Sequence, residues 1–213
     1  MPRRQRLVIP NAAHHFLQSG NGNTVLFPGD ADCRIFLEIL ANYAGRYGLT
    51  ITGYCLLKQR YHLIGVPARQ DSASRVFACV HADYSRYFHL AHNATGHVWQ
   101  SRYYSAPLDD ANCWRAVAWV ERTAVASGFV RTAEYYPWSS AGARLGLIPV
   151  PKWLELEPWQ RVWSREQWRT ALHDGSADTT FGDQLMDATR SGRVLGTLAP
   201  DQAFTTAAAA TRP

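Results

Sequence analysis

YCLLKQRYHLIGVP, residues 54–67, is the stretch that decides the fold. Tyr54, Cys55, Leu56 and Leu57 form an apolar run, Lys58, Gln59 and Arg60 interrupt it, and Tyr61, His62, Leu63 and Ile64 resume it. Two apolar runs separated by a short polar break read as neighbouring strands, here about 49–57 and 61–67. Residues i and i+2 of a strand point the same way, so Arg60 and His62 share a face and Tyr61 takes the other.

Working outward, residues 12–19 (AAHHFLQS) alternate well enough for a first strand, and GNGN at 20–23 is a turn cluster. His14 and His15 must then face opposite ways, so at most one looks into a site. Asp30 and Asp32 open a helix in which Ile35, Phe36, Ile39, Leu40 and Tyr43 recur at helical spacing, with Gly45 or Gly48 to end it. A second helix runs from about Ser72 to Leu90. A strand is expected over 97–106 (HVWQSRYYSA), and a third helix from Asp109 and Asp110 to Gly128. The order β-α-β-β-α-β-α makes this an α+β chain, a ferredoxin-like split βαβ antiparallel sheet with helices packed on one side.

Beyond the turn-rich TAEYYPWSS (132–140), Trp159, Trp163 and Trp168 supply anchors, and Ser164 with Gln167 makes a capping box, which reads as a C-terminal helical appendage. The division expected is a domain at 1–150, the appendage at 151–198, and a tail at 199–213 too rich in small residues to fold alone.

Composition bounds the function. In 213 residues, 46% hydrophobic and 18% charged content excludes a disordered chain, and no apolar run approaches the ~20 residues of a membrane span. The opening MPRRQR is followed only by LVIP, far short of a signal-peptide core, so the cytoplasm is expected. Cys33, Cys55, Cys79 and Cys113 form no CxxC pair and read as small apolar residues. A net charge of +5, with eight Trp and ten Tyr often beside arginine, makes a polyanion the first partner to consider. Arg3, Arg4 and Arg6 form a short basic arm.

Five stretches in order resemble the REP-associated branch of the single-tyrosine (HUH-type) insertion-sequence transposases. RLVIPNAAHHFLQSGN resembles RLxxPGxxHHVxxRGN, YCLLKQRYHLIGVP resembles YCLMPNHxHLIxVP, and GHVWQSRYYS resembles GxLWQGRFxS. AEYYPWSSAGA resembles xDWPWSSxxA, and RSGRVLGT (190–197) resembles RTGRPLGx. The resemblance implies a protein acting on single-stranded, hairpin-bearing DNA. In the family, two histidines of a His-hydrophobic-His strand and an Asn or Gln from a helix hold Mg²⁺ or Mn²⁺. A tyrosine four residues before that Asn or Gln attacks the phosphorus.

Carried over residue by residue, the second histidine is His62 and the first falls on Arg60. The helix motif RYxxLNPVRAGLV falls on AWVERTAVASGFV (118–130), which puts Trp119 at the nucleophile and Thr123 at the third ligand. Only His62 survives. Trp has no nucleophilic atom, Thr is a poor ligand, and a guanidinium repels a cation, so no catalytic residue and no cofactor are expected. His62 then reads as a hydrogen-bonded strand residue, and Arg60 as a bidentate phosphate clamp. The residues expected near DNA are Arg60, His62, Gly20, Asn21, Trp99, Gln100, Arg102 and Tyr103, with a core anchor as the alternative for Trp99. The reading is DNA binding without cleavage, a pseudoenzyme, with a homodimer left open. Two others stay open: an active transposase or nickase with a rearranged site, and a partner-binding protein that uses the Trp-rich region.

Overall fold

The structure is a computed structural model and describes residues 6–22, 24–174 and 179–198; Arg3, Arg4 and the tail 199–213 lie outside the described residues. Four strands form one antiparallel sheet in the order β2-β3-β1-β4: β1 (Ala13–Ser19), β2 (Leu49–Leu57), β3 (Arg60–Pro67) and β4 (Tyr104–Leu108). The crossovers are α1 (Asp30–Tyr47) and α2 (Ser72–His92), followed after β4 by α3 (Asp110–Ala126). This is the α+β, ferredoxin-like split βαβ arrangement.

Alternation sorts the strands into two cores. Phe16, Leu56, Tyr61 and Leu63 face Phe36, Leu40, Phe77, Val80 and Tyr84 of α1 and α2. Cys55, Leu57, Ile64 and Leu108 face the other way, onto Val117, Val120 and Ala124 of α3. Helices on one side therefore describes α1 and α2; α3 takes the opposite face, because its apolar stripe has Cys55 and Leu57 of β2 still to cover.

That second face is completed from the C-terminal region by α4 (Ala141–Arg144), α5 (Glu157–Gln160), α6 (Arg165–Asp174) and α7 (Thr179–Ser191). Ser164 and Gln167 close the capping box at the start of α6: the Ser164 N–H donates to Gln167 Oε1 at 2.9 Å and the Gln167 N–H to Ser164 Oγ at 3.1 Å. Trp168 is fully buried, with Trp159 and Trp163 edge-on to it at 5.9 and 5.2 Å. Beneath this cluster lies a buried ion pair, Arg144 Nε to Glu121 Oε1 at 2.9 Å. Thr52 is the extra residue of a β-bulge in β2, and its carbonyl accepts from Arg144. Trp159 and Trp168 are thus consumed by the chain's own core.

The strand expected over 97–106 is shorter and starts at Tyr104. Val98 and Trp99 both turn into the α1–α2 core, which two successive strand residues cannot do, so 97–103 runs as a loop. It is stitched to β1 by Gln100 N–H to Ser19 O at 3.0 Å and Asn21 N–H to Val98 O at 2.8 Å. No described helix is long and apolar enough to cross a membrane. Cys33, Cys55 and Cys113 are buried thiols, as expected; Cys79 is half-buried.

Candidate nucleic-acid interface

Strand register puts His62 on the α3 face. His15 pairs with Ile64 and His62 with Leu17, so the two histidines are diagonal neighbours on that face. Their rings lie nearly coplanar, with His15 Nε2 to His62 Nδ1 at 3.0 Å. His14 is turned the other way and stacks on Phe16 at 5.7 Å.

The proton positions follow from one hydroxyl. Thr189 has a single hydroxyl hydrogen, given to Leu185 O at 2.6 Å, so its Oγ can only accept from His15 Nδ1 at 2.7 Å. His15 Nε2 is then a lone pair and accepts the His62 Nδ1 proton. His62 Nε2 is left as a buried lone pair with no partner among the described residues. Burial pushes the His62 pKa well below its ordinary value, and the neighbouring His15, Arg60 and Arg190 push the same way.

Trp119 closes over this pair, its indole edge-on to His62 at 5.2 Å and to His15 at 6.0 Å. Thr123 is buried and donates to Val120 O at 2.7 Å. Helix α7 roofs the assembly: Thr189 holds His15, and Gly182 sits so close to Trp119 that a β-carbon there would press into the indole. Gly182→Ala is therefore expected to lower the melting temperature by several degrees, despite the ~1 kcal/mol gain in helix propensity. An unchanged or raised melting temperature would mean that α7 is not seated on Trp119.

Of the four positions matched to the family's chemistry, three are thus taken up by packing: His62 and Thr123 are buried, and Trp119 lies against the histidine pair. The divalent metal implied by the resemblance does not fit them. His62 offers one lone pair, His15 Nε2 is committed to a proton, and Arg60 and Thr123 supply no ligand. Among the described residues no three of His, Cys, Asp or Glu gather as a metal site.

Arg60 stands outside this packed region. It is exposed at the start of β3, in a cleft of about 290 Å³ lined also by Gly20, Gly22, Lys58, Gln59, Gln100, Ser127 and Phe129, with no carboxylate. Arg60 has no ion-pair partner among the described residues. The turn that presents Lys58 and Arg60 is clamped through both its carbonyls: Lys58 O accepts from Phe27 N–H at 3.1 Å and Gln59 O from Gly20 N–H at 2.8 Å. Asn21 is exposed beside Gly20.

A second cleft, about 700 Å³, opens beyond the 97–103 loop and is lined by Arg6, Arg102, Arg190 and Arg193, with Ser101 and Ser191 and again no carboxylate. Arg193 is held by Asp187 and Ser191, and Arg6 by Tyr103 O at 2.9 Å. Gln100 belongs to the first cleft and Arg102 to the second, so one loop forms a wall of each.

Of the residues expected near DNA, the structure gathers Gly20, Arg60 and Gln100 in one cleft and Arg102 in the next. It withdraws three. His62 is 1% exposed, and Tyr103 is 6% exposed with its ring packed on Phe16 and Phe77, although it still lines the second cleft beside Arg102. Trp99 is the core anchor of its two readings, its ring tilted at 34° against His81 at 4.3 Å with its N–H on His81 O. Sequence reading missed Lys58 and Phe129 in the first cleft and Thr189 in the packed site, and it narrowed His15 only to one of two alternating histidines. Gly128, as a helix stop, was the available signal that Phe129 leaves the α3 core.

No protein-family model matches the chain, and no curated protein does. Among solved structures, that of a REP-associated tyrosine transposase bound to a REP hairpin overlaps 74% of this chain and 96% of its own, at 15% identity and a TM-score of 0.55. A Deinococcus radiodurans R1 protein assigned as a transposase overlaps 56% of this chain and 95% of its own, at 15% identity and a TM-score of 0.40, too loose a likeness to carry weight. At such identity the shared property is the backbone: the chain has the fold of a REP-associated tyrosine transposase.

Proposed function

We propose that this chain is a DNA-binding member of the single-tyrosine transposase family that grips hairpin or single-stranded DNA without cutting it. One observation carries the reading: Trp119 and His62, at the positions matched to the nucleophile and the second histidine, are packed with His15 under α7, while Arg60, at the position of the first histidine, is open in a cleft free of carboxylates. A guanidinium in that place binds a phosphate bidentately and polarises nothing for attack. Residues 1–150 make the contacts and 151–198 seal the sheet behind them, in a protein of the cytoplasm. The partner-binding reading loses ground because Trp159 and Trp168 have no free face.

Two measurements test this. With hairpin-bearing single strands and Mg²⁺ or Mn²⁺, a denaturing gel is expected to show neither nick nor covalent adduct; a metal-dependent adduct from a nuclease-free preparation overturns the non-cleaving reading. By fluorescence anisotropy, Arg60→Glu and Lys58→Glu are each expected to weaken binding by about 1–3 kcal/mol, and log Kd to rise with log salt by about 0.7 per neutralised phosphate. Failure of the folded protein to bind hairpin, single-stranded or duplex DNA at low salt overturns the DNA reading itself.

A further inference from the structure

Phe129 is a large apolar side chain at 39% exposure in a cleft that it shares with the cations Arg60 and Lys58, the polar Gln59, Gln100 and Ser127, and the buried Leu57. Its position is fixed. Gly128 adopts φ 73°, a left-handed conformation that ends α3 and turns the chain, and the Phe129 N–H returns to Ala124 O at 2.9 Å. One face of the ring is backed by Tyr136, 5.9 Å away at 28°, and Tyr136 is itself tied by its hydroxyl to Leu56 O at 2.7 Å. The ammonium of Lys58, an exposed residue, lies 5.9 Å from the ring centre, the outer limit of a cation–π contact. A lysine so placed is easily displaced.

We propose that Phe129 is a stacking platform for one unpaired nucleobase, whose flanking phosphates fall to Arg60 and Lys58. The inference rests on the DNA reading above and deepens it by naming what the cleft accepts. A cleft of about 290 Å³ suits a single nucleotide and is too small for a duplex. An aromatic face beside cations meets both halves of an unpaired nucleotide: the base stacks, and Lys58, pushed off the ring, moves to the backbone. Every base has a π-face, so this contact selects for unpaired strand and not for sequence. The backing by Tyr136 and the fixed turn mean the ring is aligned before the strand arrives.

The test compares an oligonucleotide bearing bases with an abasic strand of equal length and charge, by anisotropy at low salt. Wild-type protein is expected to prefer the base-bearing strand by about tenfold. Phe129→Leu, which keeps apolar bulk against Tyr136, and Phe129→Ala should both lose that preference and leave abasic binding unchanged, whereas Phe129→Trp should retain it. Salt-sensitive DNA binding that is equal in wild type and Phe129→Ala overturns the platform and leaves the DNA reading intact. Equal loss on both strands in Phe129→Leu marks a structural role and also overturns it. No binding to either strand overturns the platform together with the DNA reading.

Discussion

Arg144→Leu is expected to lower the free energy of unfolding by about 3–5 kcal/mol, the cost of leaving one member of a buried ion pair alone. Both side chains are wholly inaccessible. Glu121 Oε1 accepts from Arg144 Nε at 2.9 Å and Ser140 Oγ at 2.5 Å, and Oε2 accepts the Trp168 N–H at 2.9 Å. Without the guanidinium, a full negative charge stays in the core with only neutral donors. Arg144 also binds the bulged Thr52 carbonyl and lies 5.3 Å from the Trp159 and Trp168 rings, so its loss loosens α6 from the sheet. Glu121→Leu should cost a similar amount, and the double variant clearly less than the sum, since no lone charge remains. Urea unfolding of the four proteins measures this. Additive costs, or single costs below about 1 kcal/mol, would contradict a buried pair.

Acid should unfold the protein well above the range where carboxylates titrate. Burial lowers the pKa of His14 to about 4 and of His15 and His81 to about 3, and that of His62 well below its ordinary value. These histidines stay neutral in the native state and become charged in the unfolded chain near pH 6.5. The unfolded state therefore binds more protons below 6.5. Their stabilising contribution is complete above that pH and is lost as pH falls toward the native values. At pH 5.5 the loss relative to pH 8 is about 1.4 kcal/mol per histidine, on the order of 5 kcal/mol for four. That approaches the whole stability of an ordinary domain. The urea midpoint should fall steeply between pH 7 and 5, and His81→Phe should flatten the dependence by one proton. A midpoint constant over that range would refute the buried neutral state.

How far the sequence was legible depended on whether a signal was local. The hairpin around Lys58 and Gln59 was read nearly to the residue because its apolar runs and polar break are contiguous. The start of α3 near Asp109, whose Oδ1 takes the Asn112 N–H at 2.9 Å, and the Ser164–Gln167 box were equally local. The loop at 97–103 was misread because Val98 and Trp99 obey the tertiary core and not strand alternation. His15 could be narrowed only to one of two alternating histidines; its pairing with His62 needs the cross-strand register, and its hold on Thr189 links residues 174 positions apart. Nor could the pattern of Trp159, Trp163 and Trp168 distinguish docking on the chain's own sheet from docking on a partner, since both ask for the same amphipathic helix.

Helix α7 also dictates when the molecule can be finished. It supplies Phe181, Leu185 and the Thr189 hydroxyl to a face whose sheet and α3 members, from Ala13 to Ala124, are synthesised long before it. Translation adds about 5–20 residues per second, so a nascent chain holds that face uncovered for seconds after β4 and α3 have left the ribosome. The α1–α2 side can form during synthesis, whereas the α3 side closes only once residues 179–191 have emerged. Chains stopped short of α7 would present Trp119 and the histidine pair to solvent, which makes them natural clients for chaperones and proteases.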